Sequence, residues 1–393
     1  MTTATAPVSP SRAFIPALEG MRGMAALGVL VTHVAFQTGT SRTPVLGPIL
    51  ERFDMAVAIF FALSGFLLWR PHAAAAHGHD RAPRASRYLL HRVARVLPAY
   101  WVVVVFVLVL LPGAAHSANL PVWLSNLFLL QVFVPLTLTD GLTQMWSLSV
   151  EMAFYLVLPL LAWLVVRLRG RAARWRVPVL LGLIAVSLTW NLWPVPSPDA
   201  IHADNWLPAY LPWFAAGMVL AELTCLVRPE ARWARLLSSQ PLMWALALAA
   251  FLLSATEFGG PAGLERAQPW QYAMKMVLGT VIGFGLLAPL VIRRPGAANR
   301  WLESSTAAIL GRWSYGIFLW HLVVLTVVFP VFGIIPFNGH FLYVITLTTA
   351  LTLPLAAASF ALVEEPARRW AARWDRRTAA RVDSGAESIS SVR

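Results

Sequence analysis

The chain has 393 residues, 58% of them hydrophobic and only 12% charged, with a mean hydropathy of +0.65. A soluble globular chain carries about 25% charged residues, so an ordinary soluble fold is excluded. The single cysteine, Cys225, excludes an intramolecular disulfide framework and a zinc-finger site. The formal charge of +13 suggests nucleic acid until its distribution is examined.

Apolar runs long enough to cross about 30 Å of hydrocarbon recur along the chain. They predict an all-α, polytopic membrane helical bundle of about ten transmembrane helices, over 14–36, 54–69, 99–112, 145–166, 177–193, 206–227, 240–257, 270–292, 305–331 and 340–363. The first run contains Arg22 and ends without a small-residue cleavage site, so a retained helix is expected rather than a signal peptide. With the N-terminus inside, twenty-five Lys and Arg fall in inner segments and three in outer ones. That bias predicts two cytoplasmic termini in a cell-membrane protein, N-in and C-in. The basicity is then topological, and nucleic acid is not an expected partner. Residues 1–11 and 371–393 are expected to be disordered cytoplasmic ends of a membrane domain over 12–370.

In the first span, "EGMRGMAALGVLVTH" (19–33) places Arg22 and His33 among apolar residues. An ionisable group at a span's centre costs about 2.5–3.5 kcal/mol, which marks such residues as functional candidates. Eleven residues are close to three turns, so both side chains share one face about 16 Å apart along the axis. In the second span, "FFALSGFLLW" (60–69) carries Ser64 and Gly65, small residues suited to close helix packing. Ser64 as a nucleophile would need a base that its own segment lacks.

The inner segment 70–98 holds His72, His77, His79 and Asp80, whose spacing fits no rigid metal site, so no metal is expected. It ends in "HRVARVLPAYW" (91–101), where Arg92 and Arg95 lie one turn apart and can clamp phosphates bidentately. The outer segment 113–144 contains an apolar stretch too short to span comfortably, which predicts a re-entrant or interfacial piece.

The fourth span, "QMWSLSVEMAFYLVLPLL" (144–161), puts Ser147, Glu151 and Tyr155 on one face at i, i+4 spacing. Counted from the outer end, Glu151 matches His33 in depth, and a carboxylate beside a histidine would fix its tautomer. The ninth span, "GRWSYGIFLWH" (311–321), carries Arg312, Ser314, Tyr315 and His321. The last closes with "VEEPARRW" (363–370), whose Glu364 and Glu365 are expected to pair with local arginines at the inner surface.

These pieces, in this order, resemble the acyltransferase-3 family of integral membrane O-acyltransferases, from about Pro16 to Trp370. The carriers are the Arg-x10-His pair, "FFALSGFL", the Arg-x-x-Arg of "RVARVLPAYW", "WSLSVEMAFY", "SYGIFLWH" and "VEEPARRW". Phe318 stands where a tyrosine is common, and "MAVAIFF" (55–61) lacks a glycine often found there. The resemblance implies transfer of an acyl group, often acetyl, from acyl-CoA to a hydroxyl of a sugar, glycolipid or secondary metabolite. It implies His33 and Glu151 as catalytic, with His33 the base, and Arg22, Arg92 and Arg95 as donor-binding. Trp146, Ser147 and Tyr155 are candidate oxyanion donors, and Ser64, Tyr315 and His321 are further candidate contacts. Acyl-CoA is then a donor substrate, with no permanently bound cofactor. The arginine- and alanine-rich composition, with Lys275 the single lysine, is that of a high-GC bacterium, where relatives acylate macrolides. A transporter or flippase of a glycan or small molecule remains the alternative, weakened by the absence of internal repeats. A polyprenyl-phosphate glycosyltransferase would want paired outer carboxylates that are not evident.

Overall fold

A chain in hydrocarbon must satisfy every backbone polar group within its own segment, which favours helices. The computed structural model describes residues 14–390 except 81, 166, 194, 198–200, 229, 262, 264 and 293–298, with side chains described to residue 377. Among the described residues it is all-helical, with no strand. We number the principal helices α1 (Pro16–Gln37), α2 (Ala56–Ala76), α3 (Ala85–Leu110), α4 (Trp146–Val165), α5 (Arg176–Leu188), α6 (Leu207–Leu226), α7 (Gln240–Ser254), α8 (Pro269–Val291), α9 (Ser305–Val331), α10 (Phe341–Ser359) and α11 (Glu365–Ser390).

Each of the ten apolar runs is helical. Eight helical stretches among the described residues are long and apolar enough to cross a membrane. The two that fall short are α1, whose Arg22 and His33 lower its hydropathy, and the 15-residue α7. Length and apolarity thus account for eight crossings rather than about ten. The starts follow local rules. Proline occupies the first turn of α1, α6, α7 and α8, where its missing N–H is no loss. At the start of α9, Ser304 Oγ accepts from the Ala307 N–H at 3.3 Å.

Helix α1 packs between α2 and α9, while α2 lies against α6 and α8, and α11 lies along α3. Without a hydrophobic drive between helices in lipid, close approach depends on small residues. Gly65 of α2 and Gly217 of α6 supply it reciprocally. A Cβ at Gly65 would meet the Phe214 carbonyl, and one at Gly217 the Ala62 carbonyl.

Three expectations change. First, α2 continues to Ala76 and α3 begins at Ala85, so the expected inner segment 70–98 shrinks to 77–84. The alanine run at 73–76 is a strong helix former, and Ala73 and Ala74 are buried. Second, residues 371–377, expected to be disordered, continue α11 and dock on α3. There Asp375 Oδ2 accepts from Arg87 Nε at 2.6 Å and lies 2.5 Å from His91 Nε2. Residues 1–11 lie outside the described residues. Third, the segment before α4, read as re-entrant or interfacial, is in part sunk into the bundle. Gln131 and Gln144 are buried, with Gln131 Nε2 donating to the Met145 carbonyl at 3.0 Å and Gln144 Nε2 to that of Leu319 at 3.2 Å.

Candidate active site

Helices α1, α2, α3, α4 and α9 line a partly open cavity of about 760 Å³, counting space open to solvent. Arg22, Ser64, Arg92, Arg95, Ser147, Glu151, Tyr155 and Tyr315 all line it. Five sequence motifs separated by up to 293 residues therefore converge on one space. Glu151 is its acidic centre, accepting from Ser64 Oγ and, at 2.7 Å, from Tyr155 Oη. The first bond ties α2 to α4; the second is the i, i+4 contact read from the sequence. Arg92 lies over the Tyr155 ring, 5.9 Å from its centroid, and its buried Nε has no hydrogen-bond partner. Arg22 Nη1 is 3.6 Å from Glu19 Oε1, a weak pairing for a guanidinium that is only 15% exposed. A cavity holding three arginines, one with an unsatisfied buried donor, suits an anionic ligand. Ser147 Oγ and Ser314 Oγ instead donate to the Gln144 and Gly311 carbonyls, at 3.2 and 2.8 Å, and Tyr315 Oη to that of Val96 at 2.8 Å.

The two site histidines form a separate pair. His33 Nδ1 lies 2.8 Å from the Val29 carbonyl oxygen and 3.3 Å from His321 Nε2. His321 Nδ1 in turn lies 3.0 and 2.8 Å from the Ile317 and Phe318 carbonyls. Carbonyl oxygens only accept, so in the neutral rings each Nδ1 carries the proton. His321 Nε2 then offers a lone pair towards the His33 Nδ1–H, and His33 Nε2 is left as an unprotonated base. This tautomer follows from the hydrogen-bond partners.

Two site expectations are corrected here. Glu151 does not orient His33; it bonds Ser64 and Tyr155, and its charge acts on Arg22 and Arg92. The depth comparison placed the start of α4 at the membrane surface, whereas Gln144 and Met145 are sunk in the bundle at 2% and 0% exposure. The ring beside His33 is His321, and the carboxylate whose charge reaches it is Asp54. Nor is His33, which shares a helix face with Arg22, among the residues that line this cavity. Phe60 and Phe318 line the cavity with rings 6.3 Å apart, and Phe318 sits 6.0 Å from His321, closing that end. Trp146 is also away from the cavity lining, packing on Tyr210 with centroids 5.0 Å apart.

Other charged residues take places that local sequence does not indicate. Glu364 is buried, with Ser359 Oγ at 3.4 Å, and its charge acts on Arg95 and Arg22, although it does not itself line the cavity. Glu365 alone keeps the expected local partners, Arg369 at 2.7 Å and Arg368 at 3.8 Å. Lys275 Nζ pairs with Asp54 at 2.7 Å. Deep between α5 and α6, Glu222 holds Arg176, Trp69 and His77. The visible signals were a lone lysine within one apolar run and a lone glutamate within another.

A multi-helix membrane bundle with a basic, carboxylate-centred cavity next to a histidine pair has the parts for group transfer from an anionic donor. The chain belongs to the acyltransferase family whose model, described as an acyltransferase domain, matches residues 15–361. It is 23% identical over 387 residues to the peptidoglycan O-acetyltransferase OatA of Listeria monocytogenes, covering 91% of this chain and 56% of that protein. It is 31% identical over 229 residues to the acyltransferase MdmB of Streptomyces mycarofaciens, covering 53% of this chain and 57% of that one. To the exopolysaccharide production protein ExoZ of Rhizobium meliloti it is 26% identical over 281 residues, covering 69% and 76% respectively. The chain thus spans little more than half the length of OatA, and the match to MdmB covers little more than half of each chain. No solved structure matches it.

Proposed function

We propose that this protein moves an acyl group, acetyl in the simplest case, from acyl-CoA to a hydroxyl of a sugar, glycolipid or secondary metabolite. The observation that carries the donor assignment is the convergence of Arg22, Arg92 and Arg95 on one cavity with an unsatisfied buried Arg92 Nε. The names of OatA and ExoZ support a glycan acceptor, and the organism of MdmB keeps a secondary metabolite in view. In this proposal a membrane domain over 12–370 crosses the cell membrane ten times with both termini cytoplasmic, and the donor enters from that side.

The donor phosphates lie against the arginines, and the slim pantetheine arm extends towards the Phe60–Phe318 closure. Rotation of the Phe318 ring admits the thioester to His33. His33 Nε2 accepts the proton of the acceptor hydroxyl as that oxygen bonds to the thioester carbonyl carbon. Tyr155 and Ser64 hold Glu151 in place, keeping a counter-charge among the arginines rather than at the base. The tetrahedral intermediate collapses with cleavage of the C–S bond, and the imidazolium returns its proton to the departing thiolate. The positive ring is stabilised through its Nδ1–H by the His321 Nε2 lone pair. Transfer is direct, because none of the serines lining the cavity has a histidine beside it.

Purified protein supplied with radiolabelled acetyl-CoA and candidate acceptors tests this. Stoichiometric release of free CoA and label in the acceptor is expected, and loss of both with His33→Ala. Transfer of label from a donor without a CoA moiety, with no CoA binding, would refute the donor assignment.

A further inference from the structure

A second concavity lies beside the first. It is an open groove of about 1050 Å³ lined by Tyr88 of α3, by Pro159, Ala162 and Trp163 of α4, and by Arg167 and Arg169 just beyond α4. The two spaces share helices. Tyr88 is one turn before Arg92 on α3, and Pro159 one turn after Tyr155 on α4, steps of about 6 Å. From Glu151 to Trp163 is twelve residues, about 18 Å along α4. Two features of the groove are unlike ordinary surface. Tyr88 lines the groove, and its Oη is buried with no hydrogen-bond partner. The Arg167 guanidinium is stacked on the Trp163 indole, 3.5 Å from its centroid, which fixes a planar cation at the rim.

We propose that this groove is the nucleotide subsite of the acyl donor, an inference that rests on the CoA assignment above. A planar purine stacks on the aromatic and guanidinium faces presented by Trp163 and Arg167. Arg167 and Arg169 meet its ribose 3′-phosphate, for which the guanidinium fork is suited, while the diphosphate bridge stays with the arginines of the first cavity, and the Tyr88 side chain gains a polar neighbour. The ligand then follows the shared faces of α3 and α4 past Arg92 into the first cavity. One long molecule thereby occupies both spaces, with its anionic, aromatic end in the groove and its slim reactive end at the Phe60–Phe318 closure. Anionic lipid headgroups share the phosphate chemistry but lack the ring, so the two sources separate experimentally.

The test measures the binding of CoA, pantetheine and adenosine 3′,5′-bisphosphate to the purified full chain in neutral detergent, for wild type, Trp163→Leu and Arg167→Gln/Arg169→Gln. The bisphosphate is expected to bind wild type and to compete with CoA. Both variants should lower the preference for CoA over pantetheine by about tenfold or more. An unaltered preference in both variants would overturn the subsite while leaving the CoA assignment intact. So would displacement of the bisphosphate by phosphatidylglycerol without any competition against CoA. Failure of wild type to bind CoA would overturn the donor assignment itself.

Discussion

Replacing Glu222 with alanine should be among the most destabilising single changes in this protein. Its carboxylate is 0% exposed and faces Arg176, which is 1% exposed. It accepts from Arg176 Nη2, from Arg176 Nε at 2.9 Å and from Trp69 Nε1 at 2.6 Å, with His77 Nε2 at 3.2 Å. Removing it leaves a guanidinium buried without its counter-ion, a loss of about 3–5 kcal/mol. Glu222→Gln keeps an acceptor oxygen but not the charge, and should cost about 1.5–3 kcal/mol, the range for bonds to charged groups. The double change Arg176→Met/Glu222→Leu removes both charges and should recover most of the loss, because a buried pair contributes little over apolar residues of similar size. The residual deficit, about 1 kcal/mol each, comes from the orphaned Trp69 N–H and Val165 carbonyl, which Arg176 Nη1 now meets at 2.8 Å. The assay is thermal unfolding in detergent, read as the fraction of monodisperse protein after heating, across the full double-mutant cycle. Glu222→Ala melting with wild type, or the double variant melting below both single ones, would refute the reasoning.

Gly65→Val should cost about 1–3 kcal/mol by overpacking against the Phe214 carbonyl, visible as reduced yield and a lower melting temperature. Tyr155→Phe removes a donor to the Glu151 carboxylate and should lower kcat/KM by about tenfold, consistent with loss of a charge-assisted bond, while the fold persists. Arg92→Ala should raise the donor KM far more than it lowers kcat; an unchanged KM would remove Arg92 from the donor site. Phe318→Ala removes the ring between the cavity and the histidine pair and should increase uncoupled hydrolysis of the thioester, measured as CoA release without acceptor.

Much of the helical plan was legible because hydrocarbon imposes one rule, an apolar run of fixed length, and all ten runs became helices. Local geometry was legible too. The Glu151–Tyr155 contact is the i, i+4 bond expected, and Gly65 packs closely against its neighbouring helix. The failures concern how elements meet. The partner of His33 was sought by counting depth, and depth misleads where a helix starts inside the bundle, as α4 does at Gln144 and Met145. His321 could be marked as an anomalous buried residue, but its contact with His33 spans 288 positions and no local spacing encodes it. Arg176 sits in sequence among the basic residues of an inner segment, and nothing local distinguishes its buried pairing with Glu222. The alanine-rich stretch after Trp69 lies beyond the apolar run that marks the span, yet α2 continues through it to Ala76.

The central claim is that His33, held with Nε2 unprotonated by Val29 and His321, is the base for transfer from a donor anchored among Arg22, Arg92 and Arg95. Its most direct test is turnover and CoA affinity measured on the same purified His33→Ala protein. The account predicts kcat lower by about 10²–10⁴-fold, with CoA affinity within about twofold of wild type. Wild-type turnover by this variant with CoA still bound would contradict it.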